Sequence, residues 1–590
     1  MSKWDLSYFY KTEEDFESEL ASLSDYIPRL ESFKGSFSNP EKFREYLLIS
    51  EELETKLYRV YQYAHLRSDL NKKDTSAAMS VGKVMNFLAG LEAATSFESP
   101  EILALGEKKV FEFIDANPDL EYYRFIMEKL FRTSSHVLSE DKEKLISYFS
   151  PITAEGSELY TSLTTADGKA KTVRLSNGER VTVTQGSWTS LIADAPSASD
   201  RKKIFEAIFS SYEDKKHTYA EIYSTIMKSE NAYVKARGYS SILEANLFPK
   251  NIPSSVYKTL ISVAGKQNRS LKKYLKLRKK YLGLRSLHTY DRFVQLEHSD
   301  KKYSYEEARD IFFRSIENTP EHFKMKAREA LRDGFVDVYE QDGKRSGAYS
   351  SSVSDSHPFI LLNYSSTLDD VFTIAHEAGH SIHTLYSQES QPAKLQNYTI
   401  FVAEIASTFN EHMLLDHLIS SGDISRKEKI MLLQKAIDEI VATFYRQSLF
   451  ATYEYEVSRL IESDEVVDHE VLSGIMKKLY KQYYGLDISK EKVKQYVWAY
   501  IPHLFNSPFY VYQYATSFAA SFALYLDVKS KKEGAFDRYT DLLRSGGSKY
   551  PIEQARKAGI DFSKKETFMA VVHRLDELVD LLEKELFPEG

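Results

Sequence analysis

Along most of the chain the apolar residues recur every three to four positions, the spacing of one helix face, and only short stretches alternate. The first clear helix opens at Asn39-Pro40-Glu41, a polar cap with proline at the first helical position. Phe43, Tyr46, Leu47, Leu53, Leu57, Val60, Tyr61 and Ala64 then share one face, so a long packing helix is predicted. Further helices are expected near 75–97, 100–115, 121–133 and 139–149. Two alternating runs then flank Asn177-Gly178, and the central residues of a type I′ turn need positive φ, which predicts a β-hairpin near 171–184. It closes an N-terminal helical region, 1–185, ahead of a second region, 186–590.

Helical periodicity resumes from Ser197 to about 236, then at 254–283 and 304–331. Three runs read as strands: Ser286 to Asp291, Phe335 to Tyr339, and Pro358 to Tyr364. The last carries proline at its head, tolerated at the first residue of a strand or on an edge strand, and reads either as an edge open to strand addition by an extended peptide or as a purely structural strand. Gly343 to His357 is polar and rich in Gly and Ser, a solvated loop or a flap over a cleft. Thr367-Leu368-Asp369-Asp370 has the form of a capping box, and long helices follow at 424–463 and 467–484. The fold class is therefore mostly α with a small β-sheet.

Composition narrows the function. Gly (23) and Pro (15) are scarce in 590 residues, in keeping with a helical fold. A net charge of −8 supplies no basic field, so neither nucleic acid nor an anionic membrane surface is an expected partner. The absence of cysteine excludes disulfides, thiolate ligands and a cysteine nucleophile. No apolar leader or membrane-length apolar run is evident, and a cytoplasmic location is the expectation.

Phe372 to His383 contains His376-Glu377-Ala378-Gly379-His380 inside a helix-compatible run. On a helix His376 and His380 lie one turn apart on one face, so both imidazoles reach one tetrahedral metal with Glu377 beside them. Downstream, Glu404, Ser407 and Glu411 form a single helical stripe, from which one carboxylate can bind metal while the others orient ligands. Two histidines and one carboxylate leave a fourth position open, as catalytic zinc requires. Isolated histidines such as His412 and His417 read instead as hydrogen-bonded core residues. A second cluster, His503 to Ser517, is rich in ring donors beside Asn506-Ser507-Pro508, and reads either as aromatic packing or as a source of oxyanion donors.

Together His376 to His383, the Glu404, Ser407, Glu411 stripe, Lys344 to Tyr349, His357 to Tyr364 and His503 to Tyr514 resemble the oligoendopeptidase F family, within the group that includes thimet oligopeptidase and neurolysin. The resemblance implies a multi-helix ellipsoid with a deep central channel, admitting short unfolded peptides, and one zinc ion per chain. It implies His376, His380 and Glu404 as zinc ligands, Glu377 as base, and His503 with nearby tyrosines as transition-state donors. Tyr510 and Tyr514 are favoured over Tyr512, while Ser407, Glu411, His383, Gly347 and His357 are assigned to ligand support or substrate contact. Ser517 stands where many relatives carry glycine, and Asn506-Ser507-Pro508 replaces a glycine-rich hinge. The competing readings are a helical zinc carboxypeptidase and a non-catalytic peptide-binding scaffold with structural zinc.

Overall fold

The computed structural model describes residues 3–354, 356–422 and 424–588. The chain forms two compact units, Met1–Ser135 with Lys301–Ser420 and Leu524–Ile560, and His136–Asp300 with Ser421–Ala523 and Asp561–Gly590. Both are built mainly of helices, as the periodicity predicts. Among the described residues the strands are β1 (Lys171–Arg174), β2 (Arg180–Val183), β3 (Val336–Tyr339), β4 (Tyr349–Ser351) and β5 (Phe359–Tyr364).

In the first unit, helix α1 (Pro40–Leu70) is capped by the Asn39 side chain, which accepts from the backbone N–H groups of Glu41 and Lys42 at 2.9 and 3.2 Å. It is not the first helix, since Glu13–Leu23 and Tyr26–Glu31 precede it. The helix expected over 100–115 breaks at Gly106, whose φ of +83° favours glycine. The core gathers Phe16, Phe43, Tyr46 and Leu57 with Phe359 and Leu361, so the aromatic face of α1 belongs to the same core as β5.

The small sheet has the order β3-β5-β4, with β3 parallel and β4 antiparallel to β5. β5 is thus the central strand, not the edge its leading proline suggested. Pro358 lies just outside the first paired residue, Phe359, so its missing N–H costs the ladder nothing, and the continuous burial from Phe359 to Leu362 is that of a covered strand. The edge is β4, which arises from the Gly343–His357 segment read as a loop or flap. That segment is fastened by a buried Lys344–Asp337 ion pair at 2.6 Å and by the Tyr349 hydroxyl donating to Asp69 at 2.6 Å; residue 355 lies outside the described residues.

From β5 the chain enters helix α2 (Leu368–Ser390) and then α3 (Ile400–Ser420). Thr367 completes the predicted capping box: Asp370 Oδ2 accepts from the Thr367 N–H at 2.8 Å, and Thr367 Oγ1 from the Asp370 N–H at 3.3 Å. α3 is buried without a break from Ile405 to Leu415, its polar Ser407, Thr408, Asn410, Glu411 and His412 included.

In the second unit β1 and β2 pair antiparallel, Lys171 opposite Val183 and Arg174 opposite Arg180, with Gly178 at φ +90° in the turn. The strand expected over Ser286–Asp291 is absent. Asp291 accepts from the His288 N–H at 2.9 Å and starts a tight helical turn, Thr289–Phe293, a local bond that competes with strand pairing. The helix expected over 424–463 is interrupted: Arg426–Ile440 and Arg446–Glu462 are joined by a wider π turn, Val441–Tyr445. Among the described residues no helix is long and apolar enough to cross a membrane.

Candidate active site

α2 and α3 come into close backbone contact at Gly379. A Cβ there would stand 2.6 Å from both the Ala406 carbonyl oxygen and the Ser407 Cα, so only glycine permits the approach. This brings His376 and His380 of α2 against Glu404 of α3. His376 Nε2 lies 3.2 Å from His380 Nε2 and 3.5 Å from Glu404 Oε2, and His380 Nε2 lies 3.7 Å from the same oxygen. All three donor atoms fall within 4.8 Å of one another. A tetrahedral ion with bonds of about 2.0–2.1 Å needs donors about 3.3 Å apart, so the three residues fit zinc in both spacing and donor chemistry.

The surrounding groups hold these ligands. His376 Nδ1 meets Glu411 Oε1 at 2.5 Å, which directs the other ring nitrogen to the cluster, and the Ser407 hydroxyl donates to Glu404 Oε2 at 2.9 Å. Asn410 Nδ2 donates to the Ala375 carbonyl at 3.1 Å, a second tie between the helices. Burial opposes charge on His376, but the Glu411 contact, reinforced by Glu377 and Glu404, outweighs it and pushes the imidazole up. Burial and the His376 charge pull His380 down. His383 is fully covered and stacks on Tyr398 at 3.5 Å between centroids, and the Tyr398 hydroxyl in turn donates to the His380 carbonyl at 3.3 Å.

Glu377 is 6% exposed, and its Oε2 has no hydrogen-bond partner among the described residues. Burial pushes its carboxyl up to about 7; His376 opposes the shift and Glu404 and Glu411 add to it, while the Ser350 backbone N–H hydrogen-bonds it. Ser350, in β4, also pairs its hydroxyl with that of Ser381 at 2.9 Å. Sequence reasoning missed Ser350 and Gly379. The glycine inside the histidine motif was the available signal for one; for the other, strand pairing across the sheet left no local trace.

The other predicted residues divide. His357 is packed on Phe335 at 3.8 Å, with Nδ1 2.7 Å from the Pro358 carbonyl and Nε2 3.2 Å from the Glu329 carbonyl, so its ring is occupied at the head of β5. Gly347 is exposed at φ +84°, and its carbonyl accepts from Asn363 at 2.7 Å. In the second unit His503, Tyr510 and Tyr514 group their rings: His503 lies 6.0 Å from each tyrosine, and the tyrosines 5.6 Å from each other. Tyr512 turns the other way, fully buried 5.1 Å from Tyr257. Burial and the Arg446 charge pull His503 below the usual histidine range. Phe509, beside Tyr510, is held at φ +54°, and its N–H donates to the buried Glu454 carboxyl at 2.7 Å.

The sequence profile of peptidase family M3 matches residues 191–573, and that of oligopeptidase F matches residues 101–169. The chain belongs to peptidase family M3. Within it, the chain is 32% identical to oligopeptidase PepF of Bacillus subtilis, covering 98% of this chain and 87% of that protein. It is also 32% identical to the group B oligopeptidase PepB of Streptococcus agalactiae, over 99% and 97% of the two chains. Among solved structures, a peptidase from Chlamydophila abortus is similar with a TM-score of 0.91 and 31% identity, covering 99% of this chain and 98% of that one. The oligoendopeptidase F of Enterococcus faecium follows with a TM-score of 0.76 and 26% identity, over 98% and 100%. As a member of family M3 the chain is a metallopeptidase, and the group His376, His380 and Glu404 is its candidate for the metal.

Proposed function

We propose that this chain is a zinc-dependent endopeptidase of short, unfolded oligopeptides, with Glu377 as general base. The observation that carries the reading is a three-donor cluster with a buried carboxyl beside it on the same helix. Zinc held by His376, His380 and Glu404 would supply Lewis acidity, polarising the scissile carbonyl and lowering the pKa of water from about 15.7 toward about 7. Glu377 takes the proton of the attacking water and returns it to the leaving amine nitrogen, a task its buried place beside His376 and His380 suits. Glu411 keeps His376 in the tautomer that offers Nε2, and Ser407 steadies Glu404. His503, Tyr510 and Tyr514 are assigned as oxyanion donors on the family resemblance, supported by their shared ring cluster.

Internal cleavage is favoured over a carboxypeptidase by the relatives named oligoendopeptidase F. A structural zinc would leave Glu377 a buried carboxyl without work. The division at residue 185 remains part of this reading and falls between the two matched profiles, and the cytoplasm is the compartment we assign. Mass spectrometry of the products from a peptide mixture and one folded protein, with and without chelator, tests the reading. Chelator-sensitive internal cuts in peptides alone are expected; stepwise loss from one end would replace it with the exopeptidase.

A further inference from the structure

The second unit holds a cavity of about 220 Å³ whose lining includes Arg292, Lys494, His288, Tyr480, Tyr484 and Asp438. One water needs about 10–15 Å³ by this measure, and pockets for drug-sized ligands run to about 300–1,000 Å³, so the space suits a single residue-sized group. Two basic side chains, Arg292 and Lys494, line its wall. Lys494 is 7% exposed, yet among the described residues no carboxylate or hydrogen-bond acceptor pairs with its ammonium, which lies 4.6 Å from the Phe209 ring centre and 5.4 Å from that of Tyr480. Arg292, in the lining, is partly buried and meets the Phe293 ring at 4.4 Å; Arg446, outside the lining, is partly buried and meets the Phe450 ring at 5.4 Å.

The nearby carboxylates are taken up by neutral donors. Asp438 accepts from the Tyr274 hydroxyl at 2.8 Å and Gln434 Nε2 at 3.2 Å. Glu491 accepts from the Thr289 N–H at 2.9 Å and from its hydroxyl at 2.5 Å, and faces His288 Nδ1 at 3.4 Å. Burial, with the Arg292 and Arg446 charges, pulls Lys494 well below the usual lysine range, and Glu491 only partly opposes this. Two basic side chains, Arg292 and Lys494, facing one shielded cavity are costly, and an anion between them offsets their desolvation and favours the charged form of Lys494.

We propose that this cavity is a carboxylate-binding site whose ligand is the C-terminal carboxylate of a peptide, held by Arg292 and Lys494, with Tyr480 and Tyr484 flanking the last side chain. Arg292 suits a carboxylate because a guanidinium can meet both oxygens at once. The choice of ligand rests on the peptidase reading; the site itself does not. The test is calorimetric titration of the full chain carrying Glu377→Gln, which binds without turnover, using one peptide as free acid and as C-terminal amide, and inorganic phosphate. The free acid should bind at least tenfold more tightly than the amide. Lys494→Met and, separately, the less buried Arg292→Gln should each cut that ratio to under threefold while thermal melting shows the fold retained. Equal binding of acid and amide, or a preference that survives both substitutions, overturns the proposal. Phosphate binding without an acid–amide difference assigns the cavity to a free inorganic anion and overturns the peptide ligand. Since binding is read, failure of wild-type hydrolysis would count against the peptidase reading and leave this ratio measurable.

Discussion

His376 Nδ1 and Glu411 Oε1 meet at 2.5 Å across the two helices that carry the site, so the imidazole that faces the metal position is oriented from behind by a carboxylate. Removing such a support typically costs 10–100-fold in metal affinity or activity. Glu411→Ala is expected to weaken zinc binding by about that factor, with Glu411→Gln restoring part of it through the amide oxygen. Competition against a fluorescent chelator reads the change directly. Affinity equal to wild type in Glu411→Ala would remove Glu411 from the site.

Gly379 is where the two helix backbones touch. In Gly379→Ala the new methyl group meets main-chain atoms of Ala406 and Ser407 at 2.6 Å, and backbone cannot rotate away as a side chain can. Overpacking costs about 1–3 kcal/mol and more where backbone must move, so a lower melting temperature and a loss of metal together are expected. A melt and metal content matching wild type would show that α2 and α3 separate without cost.

Glu454 sets a pH dependence of stability. Burial pushes its carboxyl from the ordinary 4.5 up to about 8, the Phe509 N–H opposing the shift. The folded state therefore holds a proton that the unfolded chain releases: its contribution is fully present below about pH 4.5 and is lost as pH rises toward about 8. Glu454→Gln, which needs no proton, should flatten that decline between pH 5 and 8. Denaturant midpoints of the two proteins across this range check it; parallel curves would show that Glu454 ionises as freely in the fold as in the unfolded chain.

The three tyrosines of the 503–514 segment should separate by kinetics. Tyr510→Phe and Tyr514→Phe are each expected to lower kcat by about 10²–10³, the usual worth of one oxyanion donor. Tyr512→Phe should leave kcat within about threefold, because the Tyr512 hydroxyl is buried in the core and finds no hydrogen-bond partner among the described residues. Equal losses in all three would favour aromatic packing as the role of the whole group.

What the sequence revealed follows from the range of the interactions. The pairing of His376 with His380 was legible because four residues on a helix make one turn, and the hairpin because Asn177-Gly178 supplies its own turn geometry. The strand order was not. Pro358 marked an edge by a local rule, whereas β4 arrives from the preceding segment to cover β5. The same limit hid Ser350, whose N–H reaches Glu377 only once the sheet is assembled. The separation of Tyr512 from Tyr510 and Tyr514 was likewise out of reach, since three tyrosines at alternate positions look alike until one of them is buried against Tyr257.

In the proposed mechanism Glu377 moves the proton in a centre whose metal is held by other residues. Metal content and peptide hydrolysis measured on the same preparations of Glu377→Gln and His380→Ala address it most directly. Glu377→Gln should keep one zinc per chain and lose about 10²–10⁴-fold in rate, the usual contribution of a positioned general base, while His380→Ala loses both metal and activity. Hydrolysis by zinc-loaded Glu377→Gln at the wild-type rate would rule Glu377 out as the base.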